Sequence, residues 1–144
     1  MDKLHLWYIR IVLGVKNNSN ILATLGECGS LPPSINILIY VFSYFIRLKN
    51  LPASTLPNQA FLESKRLHKI GLSTWYSSVV KLAEEYEVDL DTMNKESIKI
   101  HLTSQFKENW LKQINDLTNN SSLRTYCQLK SDFKIEPYLT HIKN

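Results

Sequence analysis

The sequence predicts an all-α protein, built as an irregular array of short helices with one longer helix near residues 95–118. Apolar residues recur at the three- and four-residue spacing of a helix face along most of the chain. Prolines, glycines and small polar residues interrupt this pattern at short intervals, which limits the length of each helix. The chain has 144 residues, which suits a single domain.

The N-terminal part begins with two short helices. The first covers residues 4–13 and is stopped by Gly14. The second lies within residues 19–29, where Ser19 is a suitable N-terminal cap.

A central helix over residues 34–49 follows two prolines, with Ser34 available as its cap. Its apolar run INILIYVFSYFI, residues 35–46, would be about 18 Å long as a helix, against a bilayer core of roughly 30 Å. The run is too short to span a membrane, so we expect a helix that its neighbours bury on every side.

Five more helices are predicted in the C-terminal part of the chain. They lie at 58–71, directly after Ser73 as the predicted N-terminal cap, at 95–118, at 122–130 and at 136–143. An acidic stretch at 85–96 reads as a solvated loop. The segment SIKIHL, residues 97–102, also alternates with a period of two, so a short strand competes with the helix there.

The prolines of residues 50–57 mark the best candidate for a linker. The chain then divides into an N-terminal helical part, residues 1–49, and a C-terminal helical segment, residues 58–144. Alternatively, all of it folds as one domain.

The charges are unevenly distributed along the chain, whose net charge is +4. Residues 1–70 carry 8 Lys and Arg against 3 Asp and Glu, and residues 71–144 carry 9 against 10. A basic first half suits an anionic partner such as a nucleic acid, although a lysine-rich solvated surface has the same composition.

No pattern typical of an active site or a cofactor site is present. The two cysteines and four histidines are isolated, and no glycine-rich phosphate loop occurs. Asp89 and Asp91 form the one carboxylate pair that could bind magnesium, but they lie in the acidic stretch without a basic phosphate clamp, which favours a solvated loop. We therefore predict no enzyme activity, no cofactor and no small-molecule substrate; a triad assembled only in space remains the alternative.

Basic and aromatic residues alternate in several segments, as in nucleic-acid grooves, where cations neutralise phosphates and rings stack on bases. The candidate phosphate contacts are Arg47, Lys49, Lys65, Arg66, Lys69, Arg124, Lys130 and Lys134. The candidate stacking rings are Tyr44, Phe61, Trp75, Tyr126 and Phe133. The alternative is that the rings form the core and the charges are solvated.

Two segments resemble a known family. LGV (13–15) followed by ATLGECGSLPPSINILIYVFSYFIRLKNLP (23–52) is similar to the region after the polymerase core of the reverse transcriptases of non-LTR, LINE-like retrotransposons. That region typically carries Leu-Gly-Val, then Glu-x-Gly-x-x-Pro, then an apolar and basic helix. The matching residues are Glu27, Gly29, Pro32, Tyr44, Arg47 and Leu48, with Phe45 where the family usually has tryptophan.

The second segment, LRTYCQLKSDFKIEPYL (123–139), is similar to the tail of the same proteins, and Trp110 fits an upstream tryptophan. The matching residues are Leu123, Arg124, Thr125, Tyr126, Lys130, Glu136, Tyr138 and Leu139, with Ser122 in place of a lysine. The resemblance covers about residues 7–142.

The resemblance implies a fragment of the C-terminal helical region of such a reverse transcriptase, without the catalytic palm and without the further basic segment that follows in the family. Its inherited role would be to contact the backbone of RNA or DNA without sequence preference. The alternative is a non-enzymatic helical interaction module that uses the 35–46 helix against a partner helix or a membrane surface. Without a signal peptide or a spanning helix, we expect an intracellular location, in the cytoplasm or nucleus.

Overall fold

The computed structural model of the chain describes residues 1–116, 118 and 121–140. All regular elements in these ranges are helical, which confirms the predicted all-α fold. The helices are α1 (Asp2–Val12), α2 (Ile21–Cys28), α3 (Pro33–Lys49), α4 (Leu56–Lys69), α5 (Trp75–Glu85), α6 (Lys95–Asn115), α7 (Arg124–Leu129) and α8 (Pro137–Thr140), with a 3-10 turn (Ser121–Leu123) before α7. The end of the predicted helix 136–143 lies outside the described residues.

The longer helix predicted near 95–118 is α6, which has 21 residues. Its first turns contain the segment 97–102, so the competing strand prediction is wrong. Ile98 and Leu102, four residues apart, are buried, whereas Ile100 is 66% exposed. The burial follows the helical spacing, because alternate residues of this segment point to different sides of a helix.

The contacts divide the chain into two compact units. The first unit combines Met1–Asn36 with Thr103–Asn144, and the second unit is the continuous stretch Ile37–Leu102. The predicted linker, residues 50–57, lies inside the second unit, and α4 begins within it at Leu56. The buried Asn58 side chain donates a hydrogen bond of 3.0 Å to the carbonyl of Leu48, which ties the start of α4 to the end of α3.

The core of the first unit joins the two ends of the chain. Its buried members are Ile9, Leu25, Trp110, Ile114, Leu123 and Phe133. The Phe133 ring meets the rings of Phe106 and Trp110 edge-on, at centroid distances of 5.3 and 5.1 Å. The Trp110 indole N–H donates a 2.8 Å hydrogen bond to the Leu22 carbonyl, so its one polar atom is satisfied in the core.

The core of the second unit is built around aromatic residues of α3, α4 and α5. Phe45 and Phe61, both buried, meet edge-on at 5.1 Å, and Tyr76 lies 5.5 and 5.6 Å from these two rings. Phe42 of α3 and Val79 of α5 are also buried. These contacts show how the apolar faces of three consecutive helices are covered in one unit.

Two of the three predicted N-terminal caps are displaced by one residue, and the third, Ser34, lies inside α3, which begins at Pro33. Asn20, not Ser19, caps α2, because its side-chain oxygen accepts from the backbone N–H of Leu22 at 2.9 Å. Thr74, not Ser73, caps α5 in a reciprocal arrangement with Ser77. Both caps are the residue directly before the first helical residue, where a side-chain oxygen reaches the free N–H groups.

Helix α3 is not buried on every side, so that expectation is wrong. Ile37, Tyr40 and Tyr44 are 44%, 70% and 50% exposed, and their spacing places them along one side of the helix. The tyrosines tolerate this exposure because their hydroxyl groups remain hydrated. Within the described ranges, no single helix is long and apolar enough to cross a membrane; α2 and α3 pass the same length and composition test only as a bent pair.

The C-terminus of α5 contains a strained residue. Glu87 has φ +54°, and it is the one non-glycine residue with positive φ in the described part of the chain. The N–H groups of Glu87 and Val88 donate to the carbonyls of Glu84 and Ala83, at 3.3 and 2.8 Å. This pattern closes the helix with a left-handed residue, a position that usually carries glycine.

Replacing Glu87 with glycine is therefore expected to raise the free energy of unfolding by about 1 kcal/mol, because glycine adopts this conformation without strain. Urea unfolding followed by circular dichroism measures the change. Lys81→Gly, in the exposed interior of the same helix, is the matched control and is expected to lower stability by about 1 kcal/mol. Equal losses in the two variants would contradict the assignment of strain to Glu87.

Candidate functional site

The second unit carries the predicted cations of α3 and α4. Arg47 and Lys69 are exposed, and neither forms an ion pair within the described residues. Lys65 is half-buried, with its ammonium 6.0 Å from the centre of the Tyr76 ring. Among the predicted phosphate contacts of this unit, Arg47 and Lys69 are therefore the exposed cations that can meet a phosphate without first leaving a carboxylate.

Two other predicted cations of this unit already have carboxylate partners. The Lys49 ammonium lies 2.5 Å from Asp91 and also donates to the Leu90 carbonyl at 3.3 Å. The Arg66 guanidinium holds Glu63 with two hydrogen bonds, of 2.9 and 2.7 Å, and this contact lowers the pKa of the Glu63 carboxyl. A phosphate would have to displace these partners, so both residues are weaker candidates than Arg47 and Lys69.

The three predicted cations of the first unit differ sharply from one another. Arg124 is exposed, and Lys134 is exposed but pairs with Asp132 at 2.6 Å. Lys130 is only 5% exposed; its ammonium donates to the Lys134 carbonyl at 2.7 Å and to the Glu136 carboxylate. Lys130 is therefore the weakest of the predicted phosphate contacts, because its charge is buried and already neutralised.

A polar network brings the two family-like segments together inside the first unit. The Glu27 carbonyl accepts from the backbone N–H of Glu136 at 3.0 Å, and the Tyr138 hydroxyl donates to the Glu27 carboxylate. The Tyr126 hydroxyl donates to the Ala23 carbonyl at 3.3 Å. Sequence reasoning named most of these residues but not their meeting, since about a hundred residues separate the two segments.

Both tyrosines of this network act as stable hydrogen-bond donors. Burial, with a smaller contribution from Glu27, raises the pKa of Tyr126 far above its usual value. The hydrogen bond to Glu27 is the largest cause that raises the pKa of Tyr138, to about 12. Both phenols therefore keep their protons at neutral pH, and the network acts as a structural clamp.

Two glycines of the first segment are required by close packing against the second. Gly29 ends α2 with φ +55°, and a Cβ atom there would lie 2.5 Å from the backbone nitrogen of Ile135. A Cβ atom on Gly26 would lie 2.4 Å from the Trp110 ring and 2.5 Å from the Tyr126 hydroxyl. Residues 26 and 29 of the first segment are thus closely packed against the C-terminal part of the first unit.

The candidate stacking rings separate into core and surface. Phe61 and Phe133 are buried and cannot stack on a base, and Tyr126 is committed to the network. Tyr44 and Trp75 are 50% and 41% exposed and meet edge-on, with centroids 5.9 Å apart.

Tyr44 and Trp75 line an open groove of about 310 Å³ on the second unit, together with Leu48, Pro57 and Ala60. Arg47 follows Tyr44 by three residues on α3, which places both on the same side of the helix. We refer to Tyr44, Arg47 and Trp75 as the aromatic–basic surface.

The carboxylate pair Asp89 and Asp91 is engaged within its loop. Asp89 accepts from the Thr92 hydroxyl at 2.7 Å and from the N–H of Asp91 at 2.8 Å, and these bonds lower the pKa of its carboxyl. Asp91 pairs with Lys49. Across the described ranges, no group of three or more His, Cys, Asp or Glu residues could hold a metal ion.

Comparisons of this chain with protein-family models, with curated proteins and with solved structures found no match.

Proposed function

We propose that the chain is a non-catalytic helical segment of the kind that follows the polymerase core in LINE-like reverse transcriptases. Its role in this proposal is to contact single-stranded nucleic acid without sequence preference. The observation that carries the binding role is the aromatic–basic surface, where the exposed Tyr44 and Trp75 meet edge-on and Arg47 lies on the same side of α3 as Tyr44.

The packing of the first unit supports the family part of the proposal. Glu27 and Gly29 belong to one family-like segment, and Glu136 and Tyr138 belong to the other. The residues of each pair contact the opposite segment, through hydrogen bonds or close packing. Residues that recur together in order and spacing are expected to depend on one another in this way.

The chemistry of the aromatic–basic surface suits a flexible single strand. Aromatic rings stack on any base, and each stacked base contributes about 1–3 kcal/mol, while cations neutralise the phosphates between bases. In the second unit, Arg47 and Lys69 supply these cations. In the first unit, the exposed Arg124 is the candidate cation without an ion pair among the described residues.

The measurement is the fluorescence anisotropy of a labelled single-stranded RNA, titrated with protein between about 50 and 200 mM salt. We expect affinity to fall steeply with salt, and the double variant Arg47→Ala/Lys69→Ala to weaken binding. For this double variant, the slope of log affinity against log salt should be less steep by about 1.4, because each phosphate contact on a single strand contributes about 0.7 to the slope.

Lys95→Ala/Lys99→Ala is the matched control, because it removes two exposed lysines of the same unit and the same net charge. Equal effects of the two double variants would show a general charge effect and contradict the proposed surface. Trp75→Ala is expected to weaken binding with little change in the salt slope, because it removes stacking but no phosphate contact.

The second candidate function is a helical interaction module, favoured by the exposed stripe Ile37, Tyr40 and Tyr44 on α3. An apolar stripe of this kind suits a partner helix or a membrane surface. Binding of the unmodified protein to anionic lipid vesicles, together with no binding to RNA, would favour this candidate over the first.

A further inference from the structure

The second unit contains a pocket of about 490 Å³ that the proposed nucleic-acid contact does not use. Its floor is apolar and aromatic, formed by Phe45, Phe61, Tyr76, Val80, Ala83 and Val88. The volume lies in the range typical of ligand sites in proteins. An apolar group of a ligand can be buried against this floor.

The mouth of this pocket is acidic. The charged residues that line it are Lys49, Lys65, Glu84, Glu87, Asp89 and Asp91, four carboxylates against two ammonium groups. Lys49 and Asp91 neutralise each other at 2.5 Å. Three carboxylates and Lys65 remain, so the mouth is net negative in a chain whose net charge is +4.

Glu84 and Glu87 are the carboxylates that remain available to a ligand. Both are exposed, and neither forms an ion pair within the described part of the chain. Asp89, by contrast, is held by its own loop. A phosphate is repelled at this mouth, which separates the pocket from the aromatic–basic surface and also disfavours Lys49 and Lys65 as nucleic-acid contacts.

The strain at Glu87 is located at this mouth. A glutamate occupies the left-handed position where glycine is the unstrained choice, and this residue lines the pocket. Strained residues that persist at a pocket are often kept for binding rather than for stability.

The ligand must therefore combine positive charge with an apolar body. A single ammonium would leave most of the aromatic floor uncovered, and a purely apolar group would leave two carboxylates without partners. A linear polyamine supplies charge but little width. A peptide segment supplies an apolar side chain for the floor and cationic side chains on both sides of it for the mouth.

We infer that this pocket binds a peptide segment in which an apolar side chain lies between lysine or arginine residues. The apolar side chain packs on Phe45, Phe61 and Tyr76. The flanking cations pair with Glu84 and Glu87. This site is separate from the proposed nucleic-acid surface and does not depend on it.

The test uses the C-terminally amidated peptide Ala-Lys-Leu-Lys-Ala, labelled with an uncharged fluorophore, and measures fluorescence anisotropy with the unmodified protein. We expect the double variant Glu84→Gln/Glu87→Gln to bind it about tenfold more weakly, because two ion pairs are lost. Glu85→Gln/Glu96→Gln is the matched control, since it removes two exposed carboxylates of the same unit that do not line the pocket. The control should bind as the unmodified protein does.

The peptide itself is varied in the second arm of the test. Replacing its leucine with serine is expected to weaken binding at least tenfold, because the aromatic floor then gains no apolar partner. RNA binding should be undiminished in Glu84→Gln/Glu87→Gln, so the two proposals can fail independently. Circular dichroism establishes that each variant is folded.

Three results would each overturn the inference. The first is no binding of the labelled peptide. The second is an equal effect of the two double glutamine variants. The third is that the leucine-to-serine change does not weaken binding while spermine still displaces the peptide. This combination would show that the pocket recognises only charge.

Discussion

Replacing Trp110 with alanine is expected to lower the free energy of unfolding by about 3–5 kcal/mol. The Trp110 side chain is 2% exposed, packs edge-on against Phe133 and donates a hydrogen bond to the Leu22 carbonyl. Its removal leaves a cavity between the two ends of the chain that form the first unit. Urea unfolding followed by circular dichroism measures the loss.

Trp7→Ala is the control for this prediction, because Trp7 belongs to the same unit but is 50% exposed. Its loss should stay below about 1 kcal/mol, as for most exposed positions. Similar losses for the two tryptophans would mean that Trp110 does not hold the first unit together.

The second large effect is expected at the buried ion pair. Lys130→Met should lower the free energy of unfolding by about 3 kcal/mol, because it leaves the Glu136 carboxylate without its cation in a partly buried place. Lys134→Met is the matched control: the same change removes an exposed lysine whose pair with Asp132 is solvated, and we expect little loss.

A double variant separates the charge effect from packing. Lys130→Met/Glu136→Gln removes both charges, and it should recover part of the stability that Lys130→Met alone loses. If the double variant is less stable than Lys130→Met by the full effect of Glu136→Gln, the two residues do not interact and the pair is not important. The free energies of unfolding of the four proteins in this cycle decide the matter.

The helical periodicity predicted the elements well where one helix face is buried. Helix α6 follows from the spacing of Ile98, Leu102, Trp110 and Ile114, which lie four or eight residues apart and are all buried. The caps were less predictable, because Ser19 and Asn20 are both good capping residues and the choice depends on where the first turn begins. The local sequence limits the N-terminal cap to a few candidate residues but does not decide which of them caps the helix.

The surroundings of a residue were harder to predict than its element. The apolar run of α3 indicated burial on all sides, but Ile37 and Tyr40 are exposed because packed neighbours cover only part of the helix. Lys130 was predicted to be a solvent-exposed cation like Lys134, but it is buried, and its ammonium donates to the Lys134 carbonyl and to the Glu136 carboxylate. Contacts of this kind depend on tertiary structure, which local patterns do not contain.

The candidate sites also divide into features that local sequence patterns predict and features that depend on tertiary structure. Arg47 and Tyr44 were predicted from alternation of basic and aromatic residues, and the structure leaves both exposed. The pocket of the second unit was not predicted, since the residues that line it come from three helices and from the loop after α5. The acidic stretch 85–96 was the available signal, and it indicated only a solvated loop.

The discontinuous make-up of the first unit has a consequence for folding during synthesis. Ile9 and Leu25 find their core partners only after Trp110, Ile114 and Phe133 have left the ribosome. The second unit is continuous, so its contacts can form earlier and at a lower cost in loop closure. The apolar side chains of α1 and α2 that pack on these residues therefore stay exposed until the C-terminal part of the first unit has been synthesised. During this interval a nascent chain is most prone to aggregation or to binding by chaperones.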